Sequence, residues 1–68
     1  MRLRELRKRR GISQIKLAMD LCTTQNTISR YETGDREPGI TDLIKISNYF
    51  NVSVDYLLGL TDNPVRNM

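Results

Sequence analysis

The stretch GISQIKLAMDLCTTQNTISRYETG, residues 11–34, decides the fold of this chain. Ser13 is placed to cap a helix over residues 14 to about 21, and Thr24 is placed to cap a second helix over residues 25 to about 33. Only two residues separate the first helix from the second cap. The sequence therefore predicts two consecutive helices joined by a short turn.

The second of these helices has few apolar side chains. With Ile28 at the centre of its buried face and roughly 100° of rotation per residue, Tyr31 and Glu32 fall on the same side. The opposite side and its flanks present amide, hydroxyl and guanidinium groups, from Gln25, Asn26, Thr27, Ser29, Arg30 and Thr33. Asn and Gln can pair with adenine and Arg with guanine, and a helix N-terminus attracts phosphate. This face fits the base edges of DNA; a plain solvated polar face is the alternative.

Start and stop signals elsewhere predict three further helices and no strand, so the chain is all-α. They cover about residues 2–10, residues 42–50 with Thr41 as the cap, and residues 54–58 with Ser53 as the cap. Residues 1–60 form one predicted domain and residues 61–68 a tail without a packing pattern. The side chains expected in or near the core are Leu3, Leu6, Ile15, Leu17, Ala18, Leu21, Ile28, Tyr31, Leu43, Ile44, Ile46 and Phe50.

Length and composition exclude several classes of function. The 68 residues are 38% hydrophobic and 28% charged, with no apolar run long enough for a membrane span and no secretory signal. A single cysteine and no histidine exclude a zinc site of the usual Cys/His type and a Ser-His or Cys-His nucleophile within one chain. So small a chain has little room for a deep pocket. We therefore expect no enzyme, cofactor, metal or small-molecule ligand.

Charge is distributed unevenly along the chain, whose net charge is +3. Residues 1–36 contain nine basic and four acidic side chains, whereas residues 37–68 contain two basic and four acidic ones. This asymmetry favours a polyanionic partner for the first half, with a solvated basic helix as the alternative.

Taken together, these motifs resemble the Cro/CI-type helix-turn-helix domains of phage repressors and Xre-like bacterial regulators. The matching features are Gly11-Ile12-Ser13-Gln14, Leu17-Ala18, Leu21, the Thr24 cap, Thr27-Ile28-Ser29, the aromatic-Glu-x-Gly pattern from Tyr31 to Gly34, and Pro38. LIKISNYFNVSVDYLLG, residues 43–59, continues the match, which covers about residues 3–59. The resemblance implies a compact five-helix, lambda-repressor-like domain whose third helix enters the major groove.

The resemblance also implies roles for individual residues. Gln14 matches a glutamine that contacts phosphate and buttresses the recognition helix, and Arg7 and Glu32 match a structural ion pair between helices 1 and 3. The implied DNA-binding set is Gln14, Thr24, Gln25, Asn26, Thr27, Ser29, Arg30 and Arg36, in which Gln25 and Asn26 match base-reading positions and Arg36 a phosphate contact.

Three departures from the family pattern bear on these roles. Cys22 stands where the family usually has Gly, so we expect some strain at positive φ and a semi-buried structural thiol rather than a redox or metal role. Thr23 replaces an apolar turn residue, which reduces the core. Asp35 and Glu37 flank Arg36, which weakens the attraction of this loop for phosphate.

The predicted function is a sequence-specific regulator of transcription, most simply a cytoplasmic bacterial or phage repressor that blocks polymerase. The starting Met and the tail favour a minimal regulator over the DNA-binding end of a longer chain. We expect a weak homodimer on a palindromic site, because such dimers read half-sites about 34 Å apart. Its apolar surface is predicted at Val54, Tyr56, Leu57 and Leu58, some of which must close the monomer core. The alternatives are an antitoxin-like protein-interaction module and a generic basic coat on nucleic acid.

Overall fold

Five α-helices follow one another in the computed structural model, which describes residues 1–65. They are α1 (Leu3–Arg10), α2 (Gln14–Asp20), α3 (Gln25–Thr33), α4 (Ile40–Phe50) and α5 (Val54–Leu58). No strand occurs within residues 1–65, and the predicted all-α, five-helix architecture is confirmed. None of the helices in this part of the chain combines the length and apolar character that crossing a membrane requires.

Hydroxyl side chains begin three of the helices, as the sequence predicts. Ser13, Thr24 and Ser53 each accept a hydrogen bond from the backbone N–H three residues further on, at 3.0, 3.2 and 3.0 Å. Such a bond satisfies one of the N–H groups that the first turn of a helix leaves without a partner. The caps therefore fix where α2, α3 and α5 start.

The start of α4 differs from the prediction. Gly39, and not Thr41, is the N-cap residue, and it makes no side-chain cap bond. The backbone of Gly39 is extended (φ −69°, ψ 173°), so the helix begins directly at Ile40 and Thr41 lies inside its first turn. A cap that acts through backbone conformation alone leaves no hydroxyl signal in the sequence.

One core, contributed by all five helices, fills the interior. Its buried apolar side chains are Leu3, Leu6, Leu17, Ala18, Ile28, Tyr31, Ile46, Phe50, Val52, Tyr56 and Leu57, with Ile12, Leu21, Leu43 and Tyr49 packed against it. Most of the predicted core is present, and Val52, which was not among the predicted core residues, also belongs to it.

Two isoleucines that were predicted in or near the core are exposed. Ile15 is 55% exposed and Ile44 is 49% exposed. The buried face of α2 is centred on Leu17, Ala18 and Leu21, and at about 100° per residue Ile15 lies about 115° from its middle. The three-residue spacing of Ile15, Ala18 and Leu21 suggested a different face. On α4, Ile44 is turned away in the same manner from Ile46 and Phe50.

Arg2 joins the start of α1 to the end of α5. Its Nε donates to the Tyr56 carbonyl at 2.8 Å, and its Nη2 donates to the Thr61 carbonyl at 3.1 Å and to Asp62 at 2.8 Å. Ser53 also donates its N–H to the carbonyl of Pro64 at 3.1 Å. Residues 61–64 thus contact the body of the domain mainly through backbone oxygens. The division at residue 60 stays a prediction, and residues 66–68 of the predicted tail lie outside the described chain.

Candidate nucleic-acid interface

The turn between α2 and α3 is closed by backbone hydrogen bonds. Thr23 donates its N–H to the Ala18 carbonyl at 2.9 Å, and Cys22 donates to the Met19 carbonyl at 3.2 Å. Cys22 has a φ of 58°, the left-handed conformation expected for the residue that replaces glycine here. Its side chain is exposed, so the prediction of a semi-buried thiol is wrong. Cys22 lies in the turn itself, beside a groove that Lys45, Asn48 and Tyr49 of α4 also line, and its side chain stays accessible.

The outer side of α3 carries the predicted row of polar side chains. Gln25, Asn26 and Arg30 are exposed, and Thr27 and Ser29 are half-buried. Within residues 1–65, the side chains of Asn26 and Arg30 make no hydrogen bond or ion pair. Asn26 and Arg30 are four residues apart and therefore stand one above the other on the helix. Their donors and acceptors are free for an external ligand.

The amino end of α3 is held by its own hydroxyl groups. Thr24 Oγ1 accepts the Thr27 N–H at 3.2 Å and lies 3.0 Å from Thr27 Oγ1. The N–H groups of Gln25 and Asn26, in the first turn, have no partner within the helix. This end of α3 thus combines outward N–H groups with two hydroxyls, an arrangement that suits an anion such as phosphate.

A buried carboxylate fixes α3 to its neighbours. The Glu32 side chain is fully buried, and it accepts hydrogen bonds from Arg7 Nε at 2.6 Å, from Arg7 Nη2 at 3.2 Å and from Gln14 at 3.0 Å. Arg4 Nε adds a fourth bond at 3.3 Å, and Arg7 also reaches the Ile12 carbonyl at 3.0 Å. The ion pair between Arg7 and Glu32 that the resemblance implies is thus formed, with two further donors.

The charge of Glu32 is stabilised by these donors. Burial alone raises the pKa of its carboxyl, but the hydrogen bonds from Arg7, Gln14 and Arg4 outweigh burial, so the pKa lies below its ordinary value of 4.5. The pKa of the Arg7 guanidinium is raised by the same hydrogen bond. Both groups are therefore ionised at neutral pH.

Gln14 extends this network to the polar row. Its Nε2 donates to Glu32, and its Oε1 accepts from Gln25 Nε2 at 3.4 Å. A chain of contacts thus runs from α1 through Glu32 and Gln14 to the first residue of α3. The bond to Gln25 is long, so Gln25 can exchange it for another partner at small cost.

A second hydrogen bond, from Tyr31, connects the carboxyl-terminal half of α3 to α4. The Tyr31 hydroxyl donates to Asp42 Oδ2 at 2.9 Å, on the first turn of α4. Burial raises the pKa of the Tyr31 hydroxyl, and the bond to Asp42 raises it further. Neither this bond nor the contribution of Arg4 was anticipated. Arg4 and Arg7 stand three residues apart on α1, which is a signal that sequence reasoning could have used.

The remaining predicted site residues lie apart from this row. Arg36 is exposed in the loop between α3 and α4, and its side chain makes no hydrogen bond or ion pair within the described residues. Of the predicted dimer segment, Tyr56 and Leu57 are buried in the monomer core, Val54 is half-buried and Leu58 is 41% exposed. Only Val54 and Leu58 of that segment remain accessible to a second copy.

The chain is similar to a known protein family and to several regulators of transcription. A family model described as Helix-turn-helix matches residues 3–57. The HTH-type transcriptional regulator ImmR of Bacillus subtilis is 41% identical over 66 residues, which are 97% of this chain and 52% of that regulator. The uncharacterized HTH-type transcriptional regulator YobD of the same species is 36% identical, over 93% of this chain and 56% of YobD.

A third relative is named for activation. The HTH-type transcriptional activator BcrR of Enterococcus faecalis is 35% identical over 57 residues, which are 84% of this chain and 28% of BcrR. The chain thus spans about half the length of ImmR and YobD, and less of BcrR. No solved structure matches the chain significantly. The resemblance to Cro/CI-type domains is confirmed by the family match.

Proposed function

Because this chain belongs to the helix-turn-helix family, we propose that it is a sequence-specific DNA-binding regulator of transcription whose helix α3 lies in the major groove. One observation carries the proposal. The side chains of Asn26 and Arg30 are exposed and unpartnered in the described chain, on a helix whose other side is fixed by Ile28, Tyr31 and Glu32. A helix that is fixed on one side and has free amide and guanidinium groups on the other can present these groups to base edges.

Each polar residue of α3 receives a role from its chemistry and position. Gln25 and Asn26 read bases, and Arg30 pairs with a guanine or contacts a phosphate. Gln14, which already holds Gln25, contacts phosphate beside the helix. Thr24 and Thr27, with the N–H groups at the start of α3, contact phosphate, and Ser29 contacts DNA from the flank of the helix. The family resemblance assigns a phosphate contact to Arg36.

The proposed regulator acts as a dimer on a palindromic operator. Two half-sites one helical turn apart are separated by about 34 Å, and the longest dimension of this domain is 29 Å. One copy therefore covers one half-site, and specific affinity requires two. Val54 and Leu58 are the accessible part of the predicted dimer segment. We propose repression through occlusion of polymerase in the bacterial cytoplasm, although the relative BcrR is named as an activator.

Selection of bound duplexes from random DNA tests the function. We expect a consensus of palindromic form, and we expect Gln25→Ala and Asn26→Ala each to weaken binding to it by roughly 5- to 150-fold, since a bidentate base contact contributes about 1–3 kcal/mol. Asn63→Ala is the matched control, because Asn63 is exposed and lies in the segment after α5. All three variants should unfold at the same urea concentration as the parent.

Two outcomes would contradict this function. Equal affinity for selected and scrambled duplexes indicates a generic basic coat on nucleic acid. Absence of binding to any duplex indicates a protein-interaction module that retains the fold, and capture of a specific protein partner from the host would then identify it.

A further inference from the structure

Arg4 is held by the domain through only one of its three side-chain nitrogens. Its Nε donates to Glu32 Oε1 at 3.3 Å, and neither Nη1 nor Nη2 has a partner within residues 1–65. Arg7 differs, because its Nε and Nη2 donate to Glu32 and its Nη1 donates to the Ile12 carbonyl. All the nitrogens of the Arg7 guanidinium are thus used inside the domain, whereas both terminal nitrogens of Arg4 are available to a ligand.

The positive charge of Arg4 also exceeds what the Glu32 carboxylate can neutralise. Glu32 carries one negative charge, and Arg7 makes the shortest contact with it, at 2.6 Å. Glu32 Oε1 accepts from Arg4, Arg7 and Gln14, although a carboxylate oxygen has only about two lone-pair sites. The Arg4 bond is the longest of the three, and its side chain is 53% exposed against 12% for Arg7. Arg4 is therefore the loosely held, uncompensated cation of this cluster.

Arg4 lies beside the proposed DNA interface. The Gln14 amide donates at 3.0 Å to the same oxygen, Glu32 Oε1, so the Gln14 amide and the Arg4 guanidinium are neighbours. Glu32 and Ser29 are three residues apart and adjoin on one side of α3. Gln14 and Ser29 both belong to the proposed DNA contacts. The free end of Arg4 is consequently placed at the edge of the polar row, next to a residue that is proposed to contact phosphate.

We propose that Arg4 contacts a DNA phosphate beside the phosphate contact of Gln14, with Nη1 and Nη2 as donors and Nε still bound to Glu32. This inference rests on the proposed function, because it adds a residue to the same interface. Two N–H groups of one guanidinium can donate to two oxygens of one phosphate. Glu32 holds the guanidinium in advance and so acts as a positioning residue for this contact. Less side-chain freedom is then lost on binding than for Arg30, which has no partner within the described residues.

The salt dependence of DNA binding tests the contact. Each neutralised phosphate contributes about 0.9 to the slope of log affinity against log salt concentration, whatever the base sequence. For each bound chain, we expect Arg4→Gln to reduce this slope by about 0.9 and to lower affinity about five- to tenfold at about 0.1 M salt. The loss should be equal for the selected and the scrambled duplex. Fluorescence anisotropy of labelled duplexes, titrated with the full 68-residue chain between about 0.05 and 0.3 M salt, measures both quantities.

Arg9→Gln is the matched control. Arg9 lies on the same helix, is 63% exposed and pairs with Glu5 at 3.2 Å, so it resembles Arg4 in exposure and in pairing. Five residues correspond to about 140° of helical rotation, and Arg9 faces Tyr56 of α5 instead of α3. We expect Arg9→Gln to leave the slope unchanged. Equal reductions in the two variants would show that net charge alone matters, and the contact would be overturned.

Arg4→Lys and urea unfolding separate a phosphate contact from a purely structural role. Arg4→Lys keeps the charge, so it should retain the parental slope and most of the affinity that Arg4→Gln loses; equal losses would refute the contact. The urea midpoint of Arg4→Gln should stay close to that of the parent, because partly exposed ion pairs contribute little to stability. A lowered midpoint together with an unchanged slope would mean that Arg4 only supports Glu32, which also refutes the proposal.

The outcomes distinguish this contact from the function on which it rests. If the parent prefers the selected duplex and Arg4→Gln has the parental slope, specific recognition stands and the contact is overturned. If the parent shows no sequence preference but the slope falls in Arg4→Gln and not in Arg9→Gln, the contact stands and specific regulation is overturned. A parent that binds no duplex overturns both.

Discussion

Replacing Glu32 by Gln tests whether the buried carboxylate holds α3 in place. Glu32→Gln keeps the size of the side chain and removes its charge. In the parent, both carboxylate oxygens accept, and the four donor atoms belong to Arg4, Arg7 and Gln14. In the variant, one of the two terminal atoms becomes an NH₂ group that faces arginine or amide donors. At least one strong hydrogen bond is lost, and Arg7 loses its counter-charge.

The magnitude follows from burial and geometry. Hydrogen bonds to charged groups contribute about 1.5–3 kcal/mol each, and the Glu32 side chain is fully buried, so water does not replace the missing partner. We expect Glu32→Gln to lower the free energy of unfolding by about 2–4 kcal/mol. At about 0.05–0.15 kcal/mol per residue, the whole domain has only about 3–10 kcal/mol. The loss is therefore a large fraction of the total and should lower Tm by about 10–25 °C.

The pH dependence of stability has a definite sign. The pKa of Glu32 is lower in the folded chain than its ordinary value of 4.5, so folding favours the ionised form. This contribution is fully present above about pH 4.5 and is lost as the pH falls through the lower folded value. Glu32→Gln has no carboxyl to titrate at this position. Its stability should consequently fall less steeply than that of the parent between neutral pH and strongly acidic pH.

Urea unfolding followed by circular dichroism, from pH 7 to pH 2.5, measures both effects. Glu5→Gln is the control, because Glu5 also faces two arginines but its side chain is 45% exposed, with separations of 3.8 Å to Arg2 and 3.2 Å to Arg9. Exposed pairs contribute little, so we expect a change below about 0.5 kcal/mol. Should both variants lose the same stability, or should Glu32→Gln keep the acid dependence of the parent, the buried carboxylate is not what secures α3.

Four further substitutions extend the test to the turn, the core and the proposed DNA contact. Cys22→Gly should raise the free energy of unfolding by about 0.5 kcal/mol, because the strain of a left-handed non-glycine residue at φ 58° exceeds the entropic cost of glycine. Thr23→Gly, the control at the next position, should lower the free energy of unfolding. Ile28→Ala, at a fully buried position, should cost about 2–5 kcal/mol in the same urea titration, and a cost below 1 kcal/mol would contradict its place at the centre of the core. Arg30→Ala should lower affinity for the selected duplex, and a loss of preference at one base pair alone identifies guanine readout. A uniform loss for all sequences, with the slope of log affinity against log salt concentration reduced by about one, identifies a phosphate contact. Unchanged affinity excludes Arg30 from the interface.

Local signals explain why the helices were predictable from sequence. Hydroxyl caps act within a few residues of the chain, so α2, α3 and α5 start where Ser13, Thr24 and Ser53 predict. Gly39 caps α4 without a side chain, and this start was missed for that reason. The seven-residue helix α2 admits two apolar stripes, and only packing against α3 selects the one that excludes Ile15. Short helices thus have predictable ends and ambiguous faces.

The candidate site likewise has one part that could be predicted from the sequence and another part that could not. The outward placement of Asn26 and Arg30 follows from helical rotation about a buried Ile28, which involves a single helix. The donors that surround Glu32 come from positions 28, 25 and 18 residues away in sequence, on α1 and α2. The spacing of apolar residues along one helix does not indicate which side chains of other helices lie next to it. The Arg7 contact was expected only because the chain resembles a known family, and the Arg4 contact, which the resemblance does not specify, was missed.

The buried polar groups of α3 have hydrogen-bond partners within the domain, whereas the exposed Asn26 and Arg30 have none in the described residues, and this difference bears on the proposed recognition of DNA. Glu32, Tyr31 and Ile28 fix the backbone of α3 through contacts on the side of the helix opposite to Asn26 and Arg30, so the proposed DNA contact would leave these contacts in place. In the proposed complex, Asn26 and Arg30 exchange only water for a base, whereas Gln25 also releases its 3.4 Å bond to Gln14 or uses it to orient its amide. Ordering a free Arg or Asn side chain still costs conformational entropy, of order 1–2 kcal/mol for Arg. A base that offers one hydrogen bond therefore barely offsets this cost, and a base that offers two exceeds it. In the proposed complex, discrimination between bases thus depends on the number of hydrogen bonds that a base offers to these side chains.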